Sequence, residues 1–408
     1  MDFDDTPEEA AVRADALAWL GANAKLSDPS QIDEMRTHRA HTAEDDEALI
    51  AEARAWQQHK ADAGWAAPQW PSAYGGRDLP PMLGAIFAQE ERRFDVSGRM
   101  FTVGVDMVGP TIIDWGNQDQ HARYLNRILR ADDIWCQLFS EPGAGSDLAN
   151  LSTRAIRDGD EWVVTGQKVW TSGAHYADLG ILLARSDMDA PKHRGITAMV
   201  VDMRSPGVDV RPLRQIDGAI HFNEVFLDEV RVPVDATIGP IGSGWGVAMT
   251  MLGNERASIG GGAMYDFESV VALARSMGRD TDPIARQRLA ELYTRFQVLS
   301  YLGFRVRTAV SHGAVPGPES SVMKLMVSAL YEHGGDLIVE LEGAAGTLAH
   351  ADAPAGGRFQ DFFMSQWALR IGGGTDQVQR NIIGERVLGL PAEARTDRDV
   401  PFRDLKRS

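Results

Sequence analysis

The spacing of apolar positions changes character twice along the chain. From Thr6 to about Arg130 they recur at helical intervals, as in Glu44-Asp-Asp-Glu-Ala-Leu-Ile-Ala-Glu-Ala-Arg-Ala-Trp56. A turn-rich stretch, Trp65-Ala-Ala-Pro-Gln-Trp-Pro-Ser-Ala-Tyr-Gly-Gly, interrupts that pattern. From about Trp135 to Pro240 the signals are those of strands. Thr153-Arg-Ala-Ile-Arg and Glu161-Trp-Val-Val-Thr-Gly-Gln-Lys-Val-Trp flank Asp158-Gly159-Asp160 and predict a hairpin around an Asp-Gly turn. Runs starting at Leu179, Gly195 and His221 add three more β-branched-rich segments. Their links are too short for helical crossovers, so an antiparallel sheet or barrel is expected. After Gly244 the helical period returns. Leu289, Leu292, Phe296, Leu299, Gly303 and Val306 form one stripe, and Met323, Met326, Leu330, Leu337 and Leu341 another, the second opening at Pro318 and Glu319. Such stripes predict bundle core.

Composition narrows the function classes. The 408 residues are 44% hydrophobic and 24% charged, which suits a globular protein of two or three units. A net charge of −17 argues against a nucleic-acid partner, though a local positive site can still take a small anion. The lone cysteine, Cys136, excludes an intrachain disulfide framework and a cysteine metal cluster; no metal site is expected. The acidic start, MDFDDTPEEA, lacks a secretion pattern, and no apolar run reaches the ~20 residues needed to span a bilayer. A soluble cytoplasmic protein is expected.

Two glycine-rich stretches carry candidate chemistry. Trp135-Cys-Gln-Leu-Phe-Ser-Glu-Pro-Gly-Ala-Gly-Ser-Asp147 leads into the strands. Pro142-Gly143 marks a turn, Gly143 and Gly145 let a backbone come close to a ligand, and Ser146 and Asp147 are candidate caps. It is neither a Rossmann fingerprint nor a P-loop, and a plain turn is the alternative reading. Near the C-terminal end, Gly372-Gly373-Gly374 precedes a well-formed amphipathic helix. Three glycines in a row are entropically costly. Either the backbone turns through conformations closed to other residues, or something must approach it closely.

Taken together, Phe139-Ser140-Glu-Pro-Gly-Ala-Gly-Ser146 and Val169-Trp-Thr-Ser172 resemble the two flavin-contacting segments of the acyl-CoA dehydrogenase family. Trp65-Ala-Ala-Pro, Tyr74-Gly-Gly, Phe222-Asn-Glu-Val-Phe, Val230-Arg-Val-Pro233, Gly244-Trp and Gly372-Gly-Gly-Thr-Asp-Gln-Val-Gln-Arg follow in that family's order. The resemblance covers nearly the whole chain. It implies an α+β multi-domain fold: an N-terminal helical domain (1–134), a central antiparallel β-barrel (135–240) and a C-terminal four-helix bundle (241–408). FAD would lie between barrel and bundle. Gln137, Phe139 and Ser140 would line the flavin ring, and Gly145 and Ser146 would serve the pyrophosphate. Trp170 would pack on the ring, the alternative being a core tryptophan. Thr171 and Ser172 would bond near its reactive nitrogen, and Thr375 and Gln377 would reach the nucleotide half. Ser146, Arg256 and Gly373 would contact substrate.

The implied reaction removes a proton beside a thioester carbonyl while hydride leaves the next carbon, giving a trans-2-enoyl-CoA, with electrons passing on to an electron-transfer flavoprotein. It needs a carboxylate base and donors for the enolate oxygen. Many family members carry that base in a Tyr-Glu-Gly-Thr loop. Here Gly373 stands at the glutamate's place, so the loop offers only a backbone N–H. A second family arrangement puts the glutamate before an arginine on the first bundle helix, as in Asn254-Glu255-Arg256, which makes Glu255 the candidate base. The small residues Gly260, Gly261, Gly262 and Ala263 leave room for a bulky acyl group or a helix crossing. Two departures stand out. Neither Arg275 nor Arg279 aligns with the arginine that reaches a neighbouring subunit's FAD, and Glu340-Leu-Glu-Gly343 lacks the family's glutamine. A homodimer or homotetramer is expected. The rivals are a non-catalytic partner subunit of a mixed dehydrogenase and an acyl-CoA oxidase-like enzyme.

Overall fold

The computed structural model describes residues 5–27, 43–97, 100–259, 266–311, 317–318, 320–394 and 397–405. The helices run, in chain order, α1 (Pro7–Asn23), α2 (Ala43–Asp62), α3 (Pro81–Glu91), α4 (Gly109–Trp115), α5 (Gln118–Gln120), α6 (Asn126–Leu129), α7 (Gly244–Ile259), α8 (Phe267–Ser276), α9 (Pro283–Ser311), α10 (Ser320–Glu342), α11 (Arg358–Ile371) and α12 (Asp376–Ile382). The strands are β1 (Trp135–Leu138), β2 (Arg154–Asp158), β3 (Glu161–Ser172), β4 (Leu179–Arg185), β5 (Ile196–Asp202), β6 (Val208–Leu213), β7 (Phe222–Pro233) and β8 (Thr237–Ile238). Two compact units interleave along the chain.

The first unit, Ala40–Asp78, Ser97–Ser258 and Ala392–Ser408, holds the sheet. Its strand order is β6-β7-β3-β2-β4-β5-β8, with β1 paired to β4. The expected hairpin forms, with Asp158 opposite Glu161. The turn residues are Gly159 and Asp160, and Gly159 has φ +60°, so glycine fills the first central position that a type II′ turn requires. The sheet is mixed rather than wholly antiparallel, because β1 and β2 both pair parallel to β4. Nothing in the apolar runs distinguished the two, since strand direction follows from connections made elsewhere in the chain. Alternate residues of β3 and β7, among them Trp162, Val164, Val225, Leu227, Val230 and Val232, are buried with Leu182, Ala198 and Met199.

The second unit comprises Met1–Arg39, Leu79–Val96 and Ile259–Pro391. Thr6 opens α1 with a capping box to Glu9 and Pro7 at the first turn. Arg13 of α1 pairs with Asp5 and with Glu90 of α3. Helices α8 to α11 share one core built from Val270, Leu273, Leu292, Val327, Leu330, Tyr331, Leu337, Phe359 and Phe362. Leu289, Leu292, Phe296 and Leu299 of the α9 stripe face it as expected. On α10 the buried face instead includes Lys324, Val327 and Tyr331, and Met323 and Met326 lie half-buried beside it. Lys324 is buried because Asp376 pairs with it, an outcome that apolar spacing alone does not signal. Among the described residues no helix is long and apolar enough to cross a membrane, and no group of three His, Cys, Asp or Glu side chains suits a metal ion.

Candidate active site

The segments expected around the flavin ring meet at a defect in the sheet. Between the pairs Lys168–Val225 and Thr171–Asn223, Val169 and Trp170 together oppose Glu224, which is a β-bulge. Trp170 takes φ +60°, a left-handed conformation rare for a bulky L-residue. Its indole is 62% exposed and meets the Phe222 ring edge-on at 5.9 Å between centroids. A core tryptophan is thereby excluded. Backbone strain that presents an aromatic face outward is typical of a ligand site.

The bulge also binds the two segments together. Val169 N–H donates to the Ser140 carbonyl at 2.9 Å. The Lys168 ammonium, fully buried, donates to the Phe139 carbonyl at 3.0 Å and to the Glu141 carboxylate at 2.8 Å. Glu141 further accepts from the Ser152 N–H and hydroxyl and from Thr153 N–H, all within 2.8 Å. Burial opposes its charge, but Lys168 and these donors outweigh the penalty and hold the carboxyl down at about 2. Neither residue had a role in the sequence reading. The signal was present: alternation along β3 puts Lys168 on the same face as Trp162 and Val164, and a lysine there needs an acid.

Glu141 begins the turn expected at Pro142-Gly143, closed by mutual backbone bonds between Glu141 and Ala144. Neither Gly143 nor Gly145 has positive φ, and a Cβ on either would meet no described atom within 4 Å. The backbone does not demand glycine there, so these positions suit close approach of a ligand. Ser146 is exposed on the same loop. Asp147 does not cap the following turn; its carboxylate lies 3.3 Å from Lys192 instead. Gln137 and Ser140 are half-buried, whereas the Phe139 side chain is packed in the core, leaving its backbone for any ligand contact. Thr171 is buried, and its hydroxyl has no hydrogen-bond partner among the described residues. An orphaned hydroxyl, an exposed indole and an open glycine turn, on segments joined by the Val169–Ser140 bond, fit a flat heteroaromatic cofactor with a phosphate tail.

In the helical unit the glycine loop answers the question its sequence posed. Gly373 and Gly374 take φ +64° and +87°, and a Cβ on Gly374 would come within 2.7 Å of Gln379 Nε2. That amide donates to the Gly373 carbonyl at 2.9 Å. The conformation itself requires glycine. Thr375 caps α12 by accepting from Val378 N–H, and Gln377 is exposed. Asp376 pairs with Lys324 and Arg370, and Arg370 with Glu332.

Helix α7 buries Val247, Ala248 and Met251. One turn on, Asn254 Nδ2 lies 3.5 Å from the Thr111 hydroxyl. Glu255, four residues past Met251, is half-buried rather than solvent-facing. The Arg256 side chain and residues 260–263 lie outside the described residues.

Family models for the N-terminal, middle and C-terminal domains of acyl-CoA dehydrogenases match residues 32–132, 136–230 and 242–388. This chain belongs to the acyl-CoA dehydrogenase family. Acyl-CoA dehydrogenase IpdE1 of Mycobacterium tuberculosis is 38% identical over 84% of this chain and 89% of its own length. A solved steroid acyl-CoA dehydrogenase, Tcur3481-Tcur3483, superposes with a TM-score of 0.82 at 29% identity, covering 96% of this chain and all of that one. The ChsE4-ChsE5 complex of Mycobacterium tuberculosis gives 0.77 at 28% identity, with 96% and 100% covered. The dehydrogenase is therefore an FAD-dependent oxidoreductase.

Proposed function

We propose that this dehydrogenase desaturates an acyl-CoA thioester between its α and β carbons, with Glu255 as the base. The observation that carries the reading is the bulge presenting Trp170 outward beside the open Gly143–Gly145 turn. On the family's pattern Trp170 packs on the ring, Gln137, Ser140, Thr171 and Ser172 border it, and Gly145 and Ser146 take the pyrophosphate. Thr375 and Gln377 are assigned to the nucleotide half, with Thr375 keeping its cap. When bound, FAD supplies the hydride acceptor. Glu255 takes the α-proton, because Gly373, at the place of the family's loop glutamate, carries no carboxylate. The Gly373 N–H is assigned to the thioester oxygen. Ser146 and Arg256 are assigned to substrate. Relatives named as steroid dehydrogenases support a bulky acyl group, and an electron-transfer flavoprotein is the proposed acceptor.

The decisive experiment is anaerobic flavin reduction by a panel of acyl-CoA thioesters, wild type against Glu255→Gln. Reduction at the wild-type rate in the variant sinks the assignment of the base. A second reading, assembly with a different chain, draws support from the segment Glu340-Leu-Glu-Gly343, which lacks the family's glutamine and whose Glu340 is paired with Arg288. Two of the superposed structures are two-component assemblies by name. Light scattering of the chain alone, with its turnover, separates a homodimer or homotetramer from a chain that needs its partner.

A further inference from the structure

The strained bulge has a polar brace that the proposed chemistry does not use. Asn223 is fully buried on β7, directly opposite Thr171. Its Nδ2 donates to the Thr171 carbonyl at 3.0 Å and lies 3.3 Å from the His221 carbonyl. Two carbonyls on that side fix the amide's orientation, so Oδ1 is the atom facing His175 Nδ1 at 3.1 Å. Oδ1 only accepts, so Nδ1 carries hydrogen. The other ring nitrogen, Nε2, lies 2.6 Å from the buried Asp46 carboxylate on α2. The ring is also packed edge-on against Tyr176 at 4.7 Å. One chain of hydrogen bonds thus runs from Asp46 through His175 and Asn223 to the peptide joining Thr171 to Ser172, one residue beyond the positive φ of Trp170.

We propose that Asp46, His175 and Asn223 are positioning residues that hold the Trp170–Thr171 backbone in its outward-facing geometry, and so set how the flavin ring is gripped. The inference rests on the reading that Trp170 packs on the flavin. A left-handed tryptophan relaxes unless its surroundings over-determine it. Here the over-determination comes from both sides of the bulge: Val169 N–H is held by Ser140, and Thr171 C=O by Asn223. The brace needs a hydrogen on Nδ1 of His175, because Asn223 cannot donate from Oδ1, and the Nε2–Asp46 contact needs one more, carried by the ring or by the carboxylate.

The test uses the full-length chain, with FAD titrated into apoprotein. Asn223→Asp keeps the acceptor for His175 and replaces the donor to Thr171 with a second acceptor. Expected are at least a tenfold loss of FAD affinity and a shifted visible flavin band, read at a temperature where the variant apoprotein is folded. His175→Gln is expected to fall between that variant and wild type. Affinity within twofold of wild type in folded Asn223→Asp overturns the proposal, as does an unshifted flavin band. Trp170→Ala is run alongside: if it leaves FAD affinity unchanged, the flavin contact itself fails, independently of the brace. Should Asn223→Asp not fold, 15N spectra of histidine-labelled wild-type apoprotein decide. A protonated Nδ1 on His175 supports the brace, and an unprotonated one overturns it.

Discussion

The two glycine turns of this dehydrogenase look alike in sequence and are built for opposite reasons. At Gly143 and Gly145 φ is not positive and a Cβ would touch nothing among the described residues, so neither the backbone nor the described packing demands glycine. At Gly373 and Gly374 the backbone is left-handed, and at Gly374 Gln379 fills the space a side chain would need, so glycine answers to the chain itself. The buried glutamates of the two units differ in the same way. Glu141 of the sheet unit has three donors and a lysine. Glu342 of the helical unit has the Gln360 amide on one oxygen and none among the described residues on the other. Burial, only partly offset by Gln360, pushes the Glu342 carboxyl up to about 7. A polar group's stability contribution depends on how completely it is satisfied, and a glycine's meaning on whether its φ is negative or positive.

The largest effect expected is on chemistry. If the C-terminal loop is closed to a base, Glu255→Gln lowers the rate of flavin reduction by about a hundredfold to ten-thousandfold while acyl-CoA still binds. Adding Gly373→Glu to that variant is expected to give little rescue, because φ +64° costs a side chain there about 1–2 kcal/mol. Stopped-flow absorbance measures both, and recovered activity in the double variant would break the contrast between the turns.

Next is Lys168→Met, which strands the Glu141 charge in the sheet. A buried ion pair broken from one side costs about 3–5 kcal/mol. Chemical denaturation followed by circular dichroism reads that loss directly.

Substituting the glycines sharpens the comparison further. Gly374→Ala is expected to destabilise by about 1–2 kcal/mol from its positive φ, with the Gln379 clash adding to it. Gly145→Ala is expected to leave apoprotein stability within about 0.5 kcal/mol of wild type and to weaken FAD binding, read by titration. Equal stability costs at the two positions would contradict the distinction.

The smallest effect is on pH dependence, and it runs in opposite directions in the two units. Glu141 is held below its ordinary value of 4.5, so its stabilisation is present above pH 4.5 and lost as pH falls toward about 2. Glu342 is held above 4.5, so its contribution is present at lower pH and lost as pH rises through about 7. Glu342→Gln therefore flattens the stability profile between pH 4.5 and 7 and leaves the acid limb unchanged, as melting temperatures across that range will show.

Hydrophobic period alone separated helical from strand regions, and residue order alone identified the family. Both are local signals: a helix repeats every 3.6 residues and a strand every two, and turn residues such as Gly159 act at their own position. Glu255 was proposed from the resemblance, by its place before Arg256, since a Gly at position 373 carries no carboxylate. What lay beyond the sequence was every feature that depends on a partner distant in the chain. The parallel pairing of β1 with β4, the burial of Lys168 against Glu141 and of Lys324 against Asp376, and the chain from Asp46 through His175 to Asn223 all join residues separated by tens of positions. The same holds for Trp170, whose left-handed backbone arises because Val169 and Trp170 share one partner residue on β7. A bulge is a mismatch between two strands, so neither strand's sequence contains it.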